Sequence, residues 1–285
     1  MFERMVSVAP VRLEGAAVAI TGGARGIGLA TAKAFAARGS RVFIGDLDGD
    51  LAAAAAADFG GHGTGLDVRS RESFRTFLDA VDAGGAPLTV LVNNAGIMPA
   101  GRFLEEDDAT TDAILDVNTK GVLIGTKLAL PGMLERADGH IVNVSSYLGK
   151  MPAAGLATYC ASKHAVVGFS EALRDELAGT GVTVSVVLPA AVRTELTAGV
   201  KLGGVLPTVD PEDIANAVVA TCTHRRPLLA VPAWIRAYEA TAAAMPDRLV
   251  AAVRGRLTRQ RVLQSLDTGA RSAYEKRVRE ANRQA

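Results

Sequence analysis

From Ala16 to about residue 232, short β-branched apolar runs alternate with longer stretches of helical periodicity, and this alternation restricts the chain more than any other feature. Ala16–Thr21, Arg41–Asp46, Thr89–Asn93, Gly139–Ser145 and Val182–Leu188 are short, apolar and bounded by glycine or polar residues, as buried strands are. Helical patterns lie between them at about Ile27–Arg38, Leu51–Phe59, Ser70–Ala83, Thr110–Arg136 and Ala157–Gly179. A strand wetted on one face alternates polar with apolar residues; these do not, which implies a parallel sheet covered on both faces. The expectation is an α/β fold built on a doubly wound parallel sheet. A weaker strand, Leu228–Val231, follows a helix opened by Asp210-Pro211-Glu212-Asp213, where acids and an early proline suit an N-terminus. With 285 residues, 49% of them hydrophobic, the chain can bury one large core.

The net charge of +1 hides an asymmetry. From Arg236 onward eleven basic residues face five acids, so this stretch carries +6 and the rest −5. A helix starts there at Met245-Pro246-Asp247, with Leu249, Val253 and Leu257 four apart, and a second runs from about Gly269 to the end. Basic tails can touch nucleic acid or anionic lipid, although solvated helix faces explain most of them. We read residues 236–285 as a basic helical extension of a single domain, 1–235, with no nucleic-acid partner expected. Two cysteines are too few for a disulfide framework, and the four histidines are far apart in sequence, so no metal is expected. No run of 18 apolar residues suggests a membrane span, and Met1–Ala9 lacks the apolar segment of a secretory signal, so the expected location is cytoplasmic.

The first strand runs through Thr21-Gly22-Gly23-Ala24-Arg25-Gly26-Ile27-Gly28 into a helix. Glycines at 22, 26 and 28 let the backbone turn tightly and approach a pyrophosphate, which then rests on the positive helix N-terminus. Asp46 ends the second strand, where a carboxylate can accept hydrogen bonds from an adenosine ribose and would repel a 2′-phosphate. That favours NAD over NADP. Arg25 argues the other way, since a guanidinium there can pair with a 2′-phosphate or simply be solvated. Asp67, between the helical stretches Leu51–Phe59 and Ser70–Ala83, is either an adenine contact or a helix N-cap for Arg69 onward.

Tyr159-Cys160-Ala161-Ser162-Lys163 places a phenol and an ammonium on one helix face. A free tyrosine, with a pKa of about 10, is a poor base near neutrality. A lysine one turn away, with an oxidised nicotinamide, favours the phenolate and brings that value down. Ser145 stands at the end of the fifth strand, where doubly wound sheets place their ligands, and can hydrogen-bond a substrate oxygen. Cys160, His140 and His164 read as structural residues, and Trp234 with Tyr238 as cover for the core or as a pocket wall.

Thr21–Gly28, Asn93-Asn94-Ala95-Gly96, Asn118, Ser145, Tyr159 and Lys163 together resemble the motifs of the short-chain dehydrogenase/reductases, over about residues 14 to 232. The resemblance implies an NAD(P)-dependent oxidoreductase. In it Tyr159 is the acid/base, Ser145 orients the substrate oxygen, and Lys163 holds the nicotinamide ribose and acidifies the tyrosine. Asn118 holds a water that relays protons from Lys163. The phosphate turn binds through Gly22, Arg25, Gly26, Ile27 and Gly28. Asp46, Asp67 with Val68, and Asn94, Ala95 and Gly96 line the adenosine side, Asn93 supports the sheet, and Pro189, Val192 and Thr194 attend the carboxamide. One departure is Pro189-Ala190, where the family usually has Pro-Gly, which puts that loop's path in doubt.

The substrate pocket is expected from Tyr147–Leu156, Met98–Phe103 and Glu195–Leu206. Met98, Leu148, Met151, Pro152, Leu196, Val200, Leu202 and Leu206 would line it, with few charges beyond Arg102, Lys150, Glu195 and Lys201. An apolar lining points to a hydrophobic secondary alcohol or ketone. Rival readings are an NADPH-dependent carbonyl or 3-oxoacyl reductase and a non-catalytic dinucleotide sensor. The resemblance further implies a homodimer or homotetramer. The C-terminal helices would cap the pocket, make peripheral membrane contact, or pack on a neighbouring subunit.

Overall fold

The computed structural model describes residues 9–200, 208–235, 248 and 266–283. Its centre is a seven-stranded parallel sheet ordered β3-β2-β1-β4-β5-β6-β9. These strands are β1 (Ala17–Thr21), β2 (Arg41–Asp46), β3 (His62–Gly65), β4 (Leu88–Asn93), β5 (Gly139–Val144), β6 (Val182–Pro189) and β9 (Leu228–Val231). A two-stranded parallel pair, β7 (Ala191–Val192) with β8 (Thr208–Val209), stands beside it. The β3 sequence His-Gly-Thr-Gly has no apolar run, so hydrophobic pattern does not mark it, and it is the edge strand. Glycine serves there because the helix Gly49–Ala57 lies so close: a Cβ on Gly63 would stand 2.0 Å from the Ala52 carbonyl.

Side chains of β1 alternate between two cores. Val18 and Ile20 join the cluster containing Phe35, Val218 and Val219, whereas Ala17 and Ala19 join Phe74, Phe77 and Met133 on the other face. Helices α1 (Gly26–Ala36), α2 (Gly49–Ala57) and α7 (Pro211–His224) cover the first face; α3 (Arg71–Ala83), α5 (Gly121–Glu135) and α6 (Ala157–Glu176) cover the second. Most helix starts are sealed by short polar side chains: Asp48 accepts from Leu51 N–H, Ser70 from Ser73 N–H, and Asp210 forms a capping box with Asp213. At α1 the cap is Arg25, with no side-chain capping bond, so its first N–H groups stay available.

The helix expected over Thr110–Arg136 is three pieces: α4 (Asp108–Leu115), a π-turn (Asp116–Lys120) and α5. The wider turn carries Asn118, which is fully buried. The C-terminal helix α8 (Thr268–Arg283) starts close to its expected position and docks on the α/β body. Apart from Arg248, the helix expected after Met245 lies outside the described residues, as do Tyr238, Lys201, Leu202 and Leu206. Trp234 does not cover the core: it is 58% exposed.

Candidate active site

The strand order reverses direction at β1, where connections lead to β2 on one side and β4 on the other. A cavity of about 570 Å³ opens at the carboxyl ends of β1, β2, β4, β5 and β6, the place such sheets offer to ligands. Every residue assigned above to dinucleotide binding except Gly28 lines it, and Gly28 lies just behind.

The phosphate turn is fixed from below. Thr21 Oγ1 accepts from the N–H groups of Asn94 and Ala95, and the Asn94 amide donates to the Thr21 and Gly22 carbonyls, each at 3.0 Å. Gly22 has φ +63°, and a Cβ there would stand 2.9 Å from Ala95 Cα; one on Gly28 would stand 2.0 Å from the Gly22 carbonyl oxygen. Glycine at 28 thus lets the turn close on α1 and leaves its uncapped N–H groups facing the cavity. Asp46 is held at the rim: Oδ2 accepts from Ala24 N–H at 3.2 Å and Oδ1 from Asp48 N–H at 3.4 Å. This cradle, open donors beside a carboxylate at the next strand end, fits a dinucleotide with its pyrophosphate on α1 and a ribose at Asp46.

Arg25 is not simply solvated; it pairs with Asp48 at 3.5 Å and Glu195 at 3.4 Å. Asp67 is not the N-cap of α3, a position Ser70 fills. Its carboxylate takes the Arg69 backbone N–H at 3.0 Å and the Arg69 guanidinium at 2.8 Å. Asn93 does support the sheet, donating to Asn143 at 2.9 Å across β4 and β5. Ala190 has no positive φ and donates its N–H to the Val231 carbonyl at 2.9 Å, so this loop runs without the usual glycine.

Tyr159, Lys163 and the fifth strand's tip meet at the inner end of the cavity. Lys163 is buried; its Nζ donates to the Val144 carbonyl at 3.1 Å and lies 5.7 Å from the Tyr159 ring centroid. Burial lowers its pKa to about 8. Tyr159 is buried as well, and burial raises its pKa, opposed by a hydrogen bond with the Ser146 side chain. The phenol in this cavity is therefore less acidic than a free one, contrary to the expectation from Lys163 alone. Asn118 clamps the loop after β4: Oδ1 accepts from Ile97 N–H at 2.8 Å, and Nδ2 donates to the Ile97 carbonyl at 2.9 Å and Ser162 Oγ at 3.1 Å.

The two serines after β5 divide differently from expectation. Ser145 Oγ donates to the Lys163 carbonyl at 2.9 Å, whereas Ser146 is the serine bonded to Tyr159. Strand parity gives the reason. Ser145 has the parity of Ile141 and Asn143, and Asn143 donates to Ser170 on α6 at 2.8 Å; a side chain of that parity faces α6, and the next one does not. The alternation along β5 was a usable signal for this choice.

Of the expected apolar lining, Met98, Leu148 and Leu196 face the cavity. Met151 instead packs with Tyr147 and Ile235, and Lys150 and Arg102 pair outside with Glu171 and Glu105. Of the readings open for the C-terminal helices, α8 takes the first and walls the cavity through Tyr274, Arg277, Val278, Glu280 and Asn282, residues that the sequence reading did not single out. Arg277 pairs with Glu195 at 2.8 Å, and Asn282 accepts from Arg69 at 3.4 Å. His140 is structural: its two ring nitrogens bond Thr183 and Thr221 at 2.7 and 2.9 Å. His164 is exposed, bonded to the Cys160 carbonyl.

The fold and this cluster define a dinucleotide-dependent oxidoreductase of the α/β class. Residues 16–203 match the short chain dehydrogenase family, and the chain belongs to it. It is 36% identical over 228 residues to 2,5-dichloro-2,5-cyclohexadiene-1,4-diol dehydrogenase LinX of Sphingobium indicum, covering 73% of this chain and 89% of that one. It is 38% identical over 229 residues to 2-(S)-hydroxypropyl-CoM dehydrogenase 3 of Xanthobacter autotrophicus, with the same coverage. The 3-oxoacyl-[acyl-carrier-protein] reductase FabG of Vibrio cholerae is 34% identical over 220 residues, covering 73% and 90%. Among solved structures, that of gox2181 superposes with a TM-score of 0.69 at 28% identity, covering 75% of this chain and 90% of the other. The protein is thus an NAD(P)-dependent oxidoreductase acting on CH–OH groups.

Proposed function

We propose that the protein interconverts a hydrophobic secondary alcohol and its ketone, with NAD(H) as the preferred dinucleotide. The observation that carries this reading is that Tyr159, Lys163 and Ser146 line one cavity with the glycine turn, the Lys163 Nζ standing 5.7 Å from the Tyr159 ring centroid. When bound, the nicotinamide supplies or accepts the hydride. Tyr159 takes the proton of the alcohol or returns it to the ketone, and Ser146, rather than Ser145, holds the same oxygen. Lys163 sits with its ammonium beside the phenol, and its positive charge opposes the effect of burial once the phenol ionises. Asn118 fixes the Ile97 loop over the site. Met98, Leu148 and Leu196 support an apolar substrate body.

Two features support NAD. The Asp46 carboxylate is tethered at the end of β2 beside the glycine turn, where its charge would repel a 2′-phosphate, and Arg25 is already shared between Asp48 and Glu195. The FabG likeness favours a second reading, reduction of a 3-oxoacyl thioester. A panel of hydrophobic secondary alcohols, ketones and 3-oxoacyl thioesters, each with NAD(H) and NADP(H) at equal concentration, separates them. We expect kcat/KM to favour NAD(H) at least tenfold with an alcohol or ketone; preference for NADPH and the thioester would establish the second reading instead. A homodimer or homotetramer is proposed from the family resemblance. No described helix is long and apolar enough to cross a membrane.

A further inference from the structure

We propose that Tyr274 on α8 is a specificity-determining residue that donates a hydrogen bond to a second oxygen of the substrate, so that diols or hydroxyketones are preferred to compounds with one oxygen. This rests on the alcohol–ketone reading above and goes beyond it. Helix α8 lies outside residues 16–203, so what it places in the site lies beyond the part of the chain that the family match covers.

Three observations carry the inference. Tyr274 lines the same cavity as Tyr159 and Ser146 while only 8% exposed. Its hydroxyl is held in place: the Met98 N–H donates to it at 2.7 Å, and the Arg271 guanidinium lies 5.0 Å from its ring centroid. That guanidinium is fully buried and anchors the helix, donating to the carbonyls of Leu196, Ala198 and Met98. A phenol offers one proton as well as acceptor lone pairs, and the Met98 bond uses only a lone pair. Among the described residues the proton meets no acceptor, an arrangement that is costly in a buried group unless a ligand completes it. The neighbouring wall is apolar, from Met98, Leu148 and Leu196, so the complementary ligand is an apolar frame with one oxygen at Tyr159 and another at Tyr274.

The test compares cyclohexanol with cyclohexane-1,2-, 1,3- and 1,4-diol in the wild-type, Tyr274→Phe and Arg271→Met proteins. Both kcat/KM with NAD and binding to the NADH-loaded protein by calorimetry are measured. The wild type should favour at least one diol about tenfold or more, and Tyr274→Phe should erase that preference through KM, costing the diol several-fold more than cyclohexanol. Arg271→Met, which loosens the helix that carries the hydroxyl, should lower the diol preference in the same direction as Tyr274→Phe but to a smaller extent. Equal losses for cyclohexanol and diol in Tyr274→Phe, no diol preference in the wild type, or an undiminished diol preference in Tyr274→Phe would each overturn the proposal. The binding ratio is read without turnover, so failure of the oxidoreductase reading shows separately, as diol-selective binding without hydride transfer.

Discussion

Tyr159 is held between opposing influences: burial makes its phenol a weaker acid, and the Ser146 hydrogen bond and the nearby Lys163 ammonium work against that. Which serine shares its oxygen is the sharpest difference between the sequence and the folded chain. Ser145 was read as the strand-end hydroxyl, but which of Ser145 and Ser146 turns to the phenol depends on which face of β5 each side chain takes. Ser146→Ala should lower kcat about 100-fold or more, because the lost hydroxyl contacts the reacting oxygen. Ser145→Ala should change kcat less than about fivefold and cost about 1 kcal/mol of stability through its bond to the Lys163 carbonyl, as measured by urea unfolding. The glycine turn, Asp46 and the Tyr159–Lys163 pair were legible because each is fixed by local spacing. Arg25 and Asp67 were not, since their partners Glu195, Asp48 and Arg69 become neighbours only through the fold or a tight turn.

The strands and helices flanking the cavity follow hydrophobic pattern and capping, and most were readable to within a few residues. Two departures share a cause, backbone geometry that apolar periodicity does not encode: the π-turn that buries Asn118, and β3 with its close approach to α2. Gly28→Ala should abolish dinucleotide binding while leaving a folded sheet, because the added methyl meets the Gly22 carbonyl; calorimetry and circular dichroism together check this. His140 ties β5 to β6 and α7, and burial lowers its pKa from 6.5 to about 3. Between those values the unfolded chain binds a proton that the folded one does not, so this contribution is complete above pH 6.5 and is lost as pH falls toward 3. The urea midpoint should therefore drop across that window by the equivalent of several kcal/mol, and His140→Gln should flatten the drop.

At the scale of the whole chain, a family α/β body carries a C-terminal helix that closes one side of its cleft. The basic character of that segment was plain from composition, and its destination was not, because charge count does not say which arginine is buried. Arg271 is, and Arg277 pairs with Glu195, so part of the positive charge is spent within the molecule. Arg271→Ala should destabilise the protein by roughly 3 kcal/mol or more, leaving three carbonyls without their donor, and should lower the thermal midpoint accordingly. The measurement that tests the account most directly is single-turnover hydride transfer, followed by nicotinamide absorbance, in wild-type protein and Tyr159→Phe at saturating dinucleotide. The rate in the variant should be at least about 1,000-fold lower, with dinucleotide affinity changed less than about threefold. A variant rate within tenfold of wild type would mean that another group moves the proton, and would contradict the role given to Tyr159.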